Sequence, residues 1–212
     1  MRNYFVVLVL FLAAAYSSLA QKQLTGYVNP LLGTATLWDS IDIGYKPTHR
    51  TWGAEVFPGS SLPNAMVQLS PVTQFHSGSG YQYEDTVIYA FIHTSKGHWN
   101  LCHVPLLPAT GTFTPDNFSS AYSHKNESAN PGYYQVYLER YSVNAELTSS
   151  LRCAFHKYTF KDGQSKKLIA DLSQSNERVK CWEIKQEGDH VFMGFQEAGE
   201  KIYFYAVTNL LI

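Results

Sequence analysis

Apolar residues recur at every second position almost throughout this chain, and no stretch carries them at i, i+3, i+4 and i+7 over ten or more residues. Val143, Ala145 and Leu147 alternate with Asn144, Glu146 and Thr148, which gives a strand with one dry face and one wet face. Comparable runs occur at 65–70, 86–93, 103–107, 133–138, 154–160, 167–172, 179–186, 190–195 and 201–208. Turn-favouring strings such as Asn130-Pro-Gly132, Lys161-Asp-Gly163, Glu187-Gly-Asp189 and Glu197-Ala-Gly199 punctuate them. About ten short strands at this spacing predict an all-β fold, a multi-stranded antiparallel β-sandwich. The 15 Tyr, 12 Phe and 14 Gly of the 212 residues suit strands and tight turns and speak against a helical bundle.

Charge excludes one class of partner. Lys and Arg total 16 against 17 Asp and Glu, so the chain has no basic footprint for nucleic acid. Met1-Arg-Asn3, an apolar run from Tyr4 to Tyr16 and the small residues of Ser18-Leu-Ala20 predict a signal peptide over 1–20. The run is too short for a membrane anchor and breaks at Tyr16-Ser-Ser18, so no membrane partner is expected. Residues 21–212 should then form one exported domain, periplasmic or secreted.

Three cysteines, Cys102, Cys153 and Cys181, allow at most one internal disulfide and have no metal-binding spacing. Cys153 and Cys181 stand in apolar strand-like runs, where a buried small hydrophobe is the default. Asn117-Phe-Ser119 and Asn126-Glu-Ser128 fit the N-glycosylation sequon, which matters only in a eukaryotic source. The last residues, Asn209-Leu-Leu-Ile212, follow an apolar strand with no polar cap, so the expectation is a piece of a longer chain.

Catalytic signals are weak. Gly78-Ser-Gly80 lacks the strand and helix that frame a nucleophilic serine. His93, His98 and His103 are five apart, which sets neighbours on opposite strand faces and argues against a shared metal. Asp39, Asp42, Glu55, Glu84 and Asp85 lie in loop-like segments, and spacing alone brings no two of them across a sugar ring. Trp38, Trp52 and Trp99, with Tyr45, Tyr81 and Tyr83, occupy irregular segments where rings either pack or stack on sugars.

Several strings nevertheless occur in a familiar order. Val28-Asn-Pro-Leu-Leu-Gly-Thr34, Val56-Phe-Pro-Gly59 and Met66-Val-Gln-Leu-Ser-Pro71 are followed by Gly80-Tyr-Gln-Tyr-Glu-Asp85 and Ile88-Tyr-Ala-Phe-Ile-His-Thr94. Asn130-Pro-Gly-Tyr-Tyr134, Ala145-Glu-Leu-Thr148 and His156-Lys-Tyr-Thr-Phe160 complete the set. Together they resemble the N-terminal domain of glycoside hydrolase family 92. The resemblance implies a supersandwich-like domain that packs on a C-terminal (α/α)6 barrel in the full-length chain. It implies an exported, calcium-dependent, inverting exo-α-mannosidase that removes terminal α-1,2-linked mannose from mannose-rich N-glycans.

In that family the acid, the base and the calcium ligands come mainly from the barrel, so the resemblance assigns no catalytic or metal residue here and implies that this piece alone is inactive. It places Gly33, Thr34, Phe57, Pro58, Gly59, His93 and Trp99 at the rim of the mannose pocket. Two strings depart from the family pattern. Pro63-Asn-Ala65 stands where Pro-Phe-Gly is usual, and Ser95-Lys-Gly-His-Trp-Asn100 where a Ser-Gly-Thr-Gly loop is usual. The alternatives are a stand-alone carbohydrate-binding sandwich and a structural interdomain module.

Overall fold

The computed structural model describes residues 24–35, 56–95 and 101–209. The proposed signal peptide lies outside them, as do His98, Trp38, Trp52, Trp99, Tyr45, Asp39, Asp42 and Glu55. Fourteen strands occur among the described residues, in four antiparallel sheets. Strands β1 (Ser60–Ser61), β2 (Gln68–Val72), β4 (Ala90–Ile92), β5 (Leu106–Ala109) and β11 (Lys167–Ala170) form a five-stranded sheet in the order β1-β2-β4-β5-β11. Strands β7 (Glu127–Asn130), β8 (Tyr133–Leu138), β9 (Val143–Ser149) and β10 (Ala154–Phe160) form a meander in the order β10-β9-β8-β7. Two short strands, β3 (Val87–Ile88) and β6 (Ser120–Ala121), pair separately. The chain ends its described part in a three-stranded sheet, β12 (Val179–Glu187), β13 (Val191–Ala198) and β14 (Glu200–Val207).

The first two sheets face each other as a sandwich. Leu69, Phe91, Leu107 and Ala109 from one side meet Val136, Leu138, Val143, Ala145 and Leu147 from the other in a single buried cluster. The alternation of β8 and β9 explains this directly, because every second residue of each strand is buried. Prolines fall where the ladder tolerates them. Pro71 stands past the last β1 pair, and Pro108 past the single β4–β5 pair at Phe91 and Leu106.

The third sheet is joined to this body by its inner face. Gln196, fully buried on β13, accepts from the Val104 amide at 2.7 Å and donates to the carbonyls of Leu172 (3.0 Å) and Gln174 (2.7 Å). Beside it, His103 Nε2 donates to the Ala198 carbonyl at 2.9 Å.

Two expectations are corrected. Cys153 and Cys181 are exposed, and Cys102 is the buried one. Alternation places Cys181 on the outward face of β12, opposite Glu197, and that face is uncovered. The run 86–93 is two strands, split at the exposed Tyr89.

Candidate functional site

The structure gathers most of the expected rim residues in one place. The turn at 30–33 brings Gly33 against Val56, where φ is +84° and an added Cβ would lie 3.1 Å from the Val56 methyl. Both conditions favour glycine. Thr34 is buried, and its hydroxyl donates to the Leu31 carbonyl at 2.7 Å, closing the turn. Gly59 is required for a different reason: a Cβ there would stand 1.9 Å from the Leu69 carbonyl oxygen, so only glycine lets this segment enter the sheet beside β2. Ser79 Oγ donates to the Val56 carbonyl at 2.7 Å and the Tyr83 amide to the Thr34 carbonyl at 3.0 Å. Gly33, Thr34 and the start of the 56–59 segment are thus tied together through Val56 and the loop 73–85.

His93 makes its contacts elsewhere, at the seam between the two large sheets. Its Nδ1 donates to the Val104 carbonyl at 2.7 Å, so in the neutral ring Nε2 is an acceptor. His156 on β10 lies 3.0 Å from that nitrogen, and His156 Nδ1 lies 2.6 Å from the Tyr158 hydroxyl. One proton arrangement satisfies all three contacts with neutral groups: the phenol donates to His156, His156 to His93, and His93 to the backbone. Burial pushes His93 down to about 4 and His156 well below its usual value, and raises the Tyr158 phenol, so each group stays neutral. The link between His93 and His156 is invisible to sequence spacing at 63 residues apart, whereas His156 and Tyr158, two apart on a strand, had to share a face.

Backbone strain marks the same neighbourhood. Leu101, Cys102 and Val104 have φ of 71°, 65° and 54°, a left-handed region that costs L-residues about 1–3 kcal/mol each. The segment is pinned on several sides: Thr94 accepts from the Cys102 and His103 amides, and the Leu101 carbonyl accepts from the Asn176 amide and the Ser175 hydroxyl. Burial pushes the Cys102 thiol up to about 12, which leaves it unreactive. The segment 101–104 is therefore strained yet closely hydrogen-bonded.

Sequence reasoning missed a third cluster. The Glu127 carboxylate, wholly buried, accepts from the Tyr81 hydroxyl (3.0 and 3.1 Å), from the Tyr134 hydroxyl (2.6 Å) and from His124 Nδ1 (2.6 Å). Desolvation and the Glu127 charge both raise the two phenols, which stay protonated as donors. The only sequence signal was His124 three residues before Glu127 across a short 3-10 turn. Among the described residues no three His, Cys, Asp or Glu side chains converge as a cation cage. Glu127, the best-buried carboxylate, spends its lone pairs on phenols and imidazole, so these residues do not fit calcium.

The glycosyl hydrolase family 92 N-terminal domain profile matches residues 27–210. The chain belongs to glycosyl hydrolase family 92. Solved structures agree with this assignment. A family GH92 α-mannosidase from Bacteroides thetaiotaomicron is 26% identical with a TM-score of 0.73, the match covering 87% of this chain and 25% of that one. In its complex with mannoimidazole the figures are 27%, 0.72, 87% and 25%. An inverting GH92 mannosidase from B. thetaiotaomicron VPI-5482, 19% identical at a TM-score of 0.67 over 88% of this chain and 25% of that one, shares the fold. The chain thus spans about a quarter of the length of these relatives. No curated protein sequence matches it. The match of the family 92 domain runs through the 30–34 turn, the His93 seam and the Glu127 cluster alike.

Proposed function

We propose that this family 92 domain is the N-terminal wall of an exported, inverting α-mannosidase that removes terminal α-1,2-linked mannose from mannose-rich N-glycans. The observation that carries the reading is the family match over 27–210, joined to 26% identity with an α-mannosidase across 87% of the chain. Inversion needs an acid and a base roughly 6.5–9.5 Å apart with a water between them. No such pair is assigned here, since Glu127 is sealed among its donors and Glu84 is exposed on a loop. The acid, the base and a calcium ion that holds sugar hydroxyls would come from further polypeptide, an (α/α)6 domain in the full-length chain.

What these residues supply is shape. The exposed Gly33 presents bare backbone beside the half-buried Phe57, which lets a sugar ring approach the turn without side-chain rearrangement. His93, satisfied within the seam, acts by fixing the strained segment 101–104. Incubating the 212-residue chain with an aryl α-mannoside and calcium should give no turnover, and clear hydrolysis would overturn the reading.

A second reading has its own support. Tyr203 and Tyr205 are 72% and 64% exposed on the outward face of β14, a ring surface of the kind that stacks on sugars. Saturable heat on titrating the chain with mannobiose would favour a carbohydrate-binding module over a pocket wall.

A further inference from the structure

We propose that His124, clamped by Glu127, is a positioning residue that sets the Gly33–Thr34 turn through Tyr83. The inference rests on the reading that this turn borders the mannose pocket, and it adds residues that make no contact with the turn themselves. The connection is continuous. His124 Nε2 donates to the Tyr83 carbonyl at 2.6 Å, and the Tyr83 amide donates to the Thr34 carbonyl at 3.0 Å. The imidazole also lies flat on the Tyr83 ring, with centroids 4.0 Å apart and planes within 6°, while Tyr122 meets its edge at 5.4 Å. Position 83 is therefore gripped at both its carbonyl and its ring by one side chain.

The proton count makes the grip depend on the pair. Both imidazole nitrogens face oxygen acceptors, one a carbonyl and one a carboxylate. A proton must lie in the Nδ1–Oε2 contact as well as on Nε2, because a bare nitrogen lone pair 2.6 Å from a carboxylate oxygen would repel it. Glu127 in turn is immobilised by Tyr81 and Tyr134, both buried in the sandwich core. Order thus passes from the core to Glu127, to His124, to Tyr83 and on to the turn.

Native-state hydrogen exchange on the intact 212-residue chain tests this. In H124F, which keeps a ring between Tyr83 and Tyr122 but has no nitrogens, the Tyr83 amide should exchange about tenfold faster or more, with Leu138 and Val143 unchanged. E127A should do the same. E127Q should retain protection, since its amide can donate to Nδ1 of a neutral His124 whose Nε2–H still serves Tyr83, and ring ¹⁵N shifts should then report the neutral imidazole. Unchanged Tyr83 exchange in H124F, or loss in E127Q equal to that in E127A with a folded core, would overturn the proposal. Mannoside turnover by the isolated chain would sink the pocket-wall reading without altering this measurement.

Discussion

The four-stranded sheet β10-β9-β8-β7 and the three-stranded sheet β12-β13-β14 are both antiparallel meanders of consecutive strands, yet only the first has its apolar face closed. Val136, Leu138, Val143, Ala145 and Leu147 are completely buried against the five-stranded sheet. In the three-stranded sheet the register aligns Glu183, Phe195 and Tyr203, and then Lys185, Met193 and Tyr205, on one outward face. The opposite face buries Gln196 and Phe192 but leaves Trp182 49% exposed. Alternation dictates that a strand has two unlike faces. Whether a partner covers either one is a property of the surrounding chain. The sandwich is held by area, and the third sheet by a few polar joints.

That contrast predicts unequal costs. Leu147→Ala, in the closed sheet, should lower the unfolding free energy by about 3 kcal/mol in urea titration. The same truncation at Ile184, 40% exposed on β12, should cost under about 1 kcal/mol. Equal losses would mean that the third sheet is as well covered as the sandwich.

Acid should attack the seam on a similar scale. In the unfolded chain an imidazole takes up its proton near pH 6.5, whereas His93 is held down to about 4 and His156 lower still. The unfolded state therefore binds more protons in that interval, so stability is flat above about pH 6.5 and falls as pH drops towards 4. The loss for His93 alone is on the order of 3 kcal/mol. His103, whose imidazole burial also pushes down, adds to the same slope at the joint of the third sheet. Urea midpoints between pH 7 and 4 read the effect. A slope unchanged in His156→Gln would show that the seam is not where the protons enter.

Much of the strand layout was legible, and for a definite reason. The runs 133–138 and 154–160 coincide with β8 and β10 because both strands keep one face on the core from end to end. Strands β1, β6 and β7 were not legible. Ser60–Ser61, Ser120–Ala121 and Glu127–Asn130 carry no apolar period, and they are strands only because a neighbouring edge offers them hydrogen bonds. The glycines at 33 and 59 have a local cause, since a side chain at either would crowd Val56 or Leu69. The Glu127 cluster was not legible, because Tyr81 lies 46 residues away from it in the chain. Polar convergence over such separations leaves no periodic trace.

The polar joint of the third sheet should be worth less than the sandwich core but should fail more selectively. Gln196→Ala removes three hydrogen bonds and leaves the Val104 amide and the Leu172 and Gln174 carbonyls without this partner, a cost of about 2 kcal/mol once water re-solvates part of the site. Exchange of amides in β13 and β14 should rise before that of β8 and β9, because the sandwich does not depend on this joint.

Smallest of all should be Tyr205→Ser. The ring is mostly exposed, so little apolar area returns to water and unfolding should shift by no more than about 0.5 kcal/mol. A loss several times larger, growing with protein concentration, would show that copies of the chain cover this face in solution, and the contrast between closed and open sheets would then describe the monomer only.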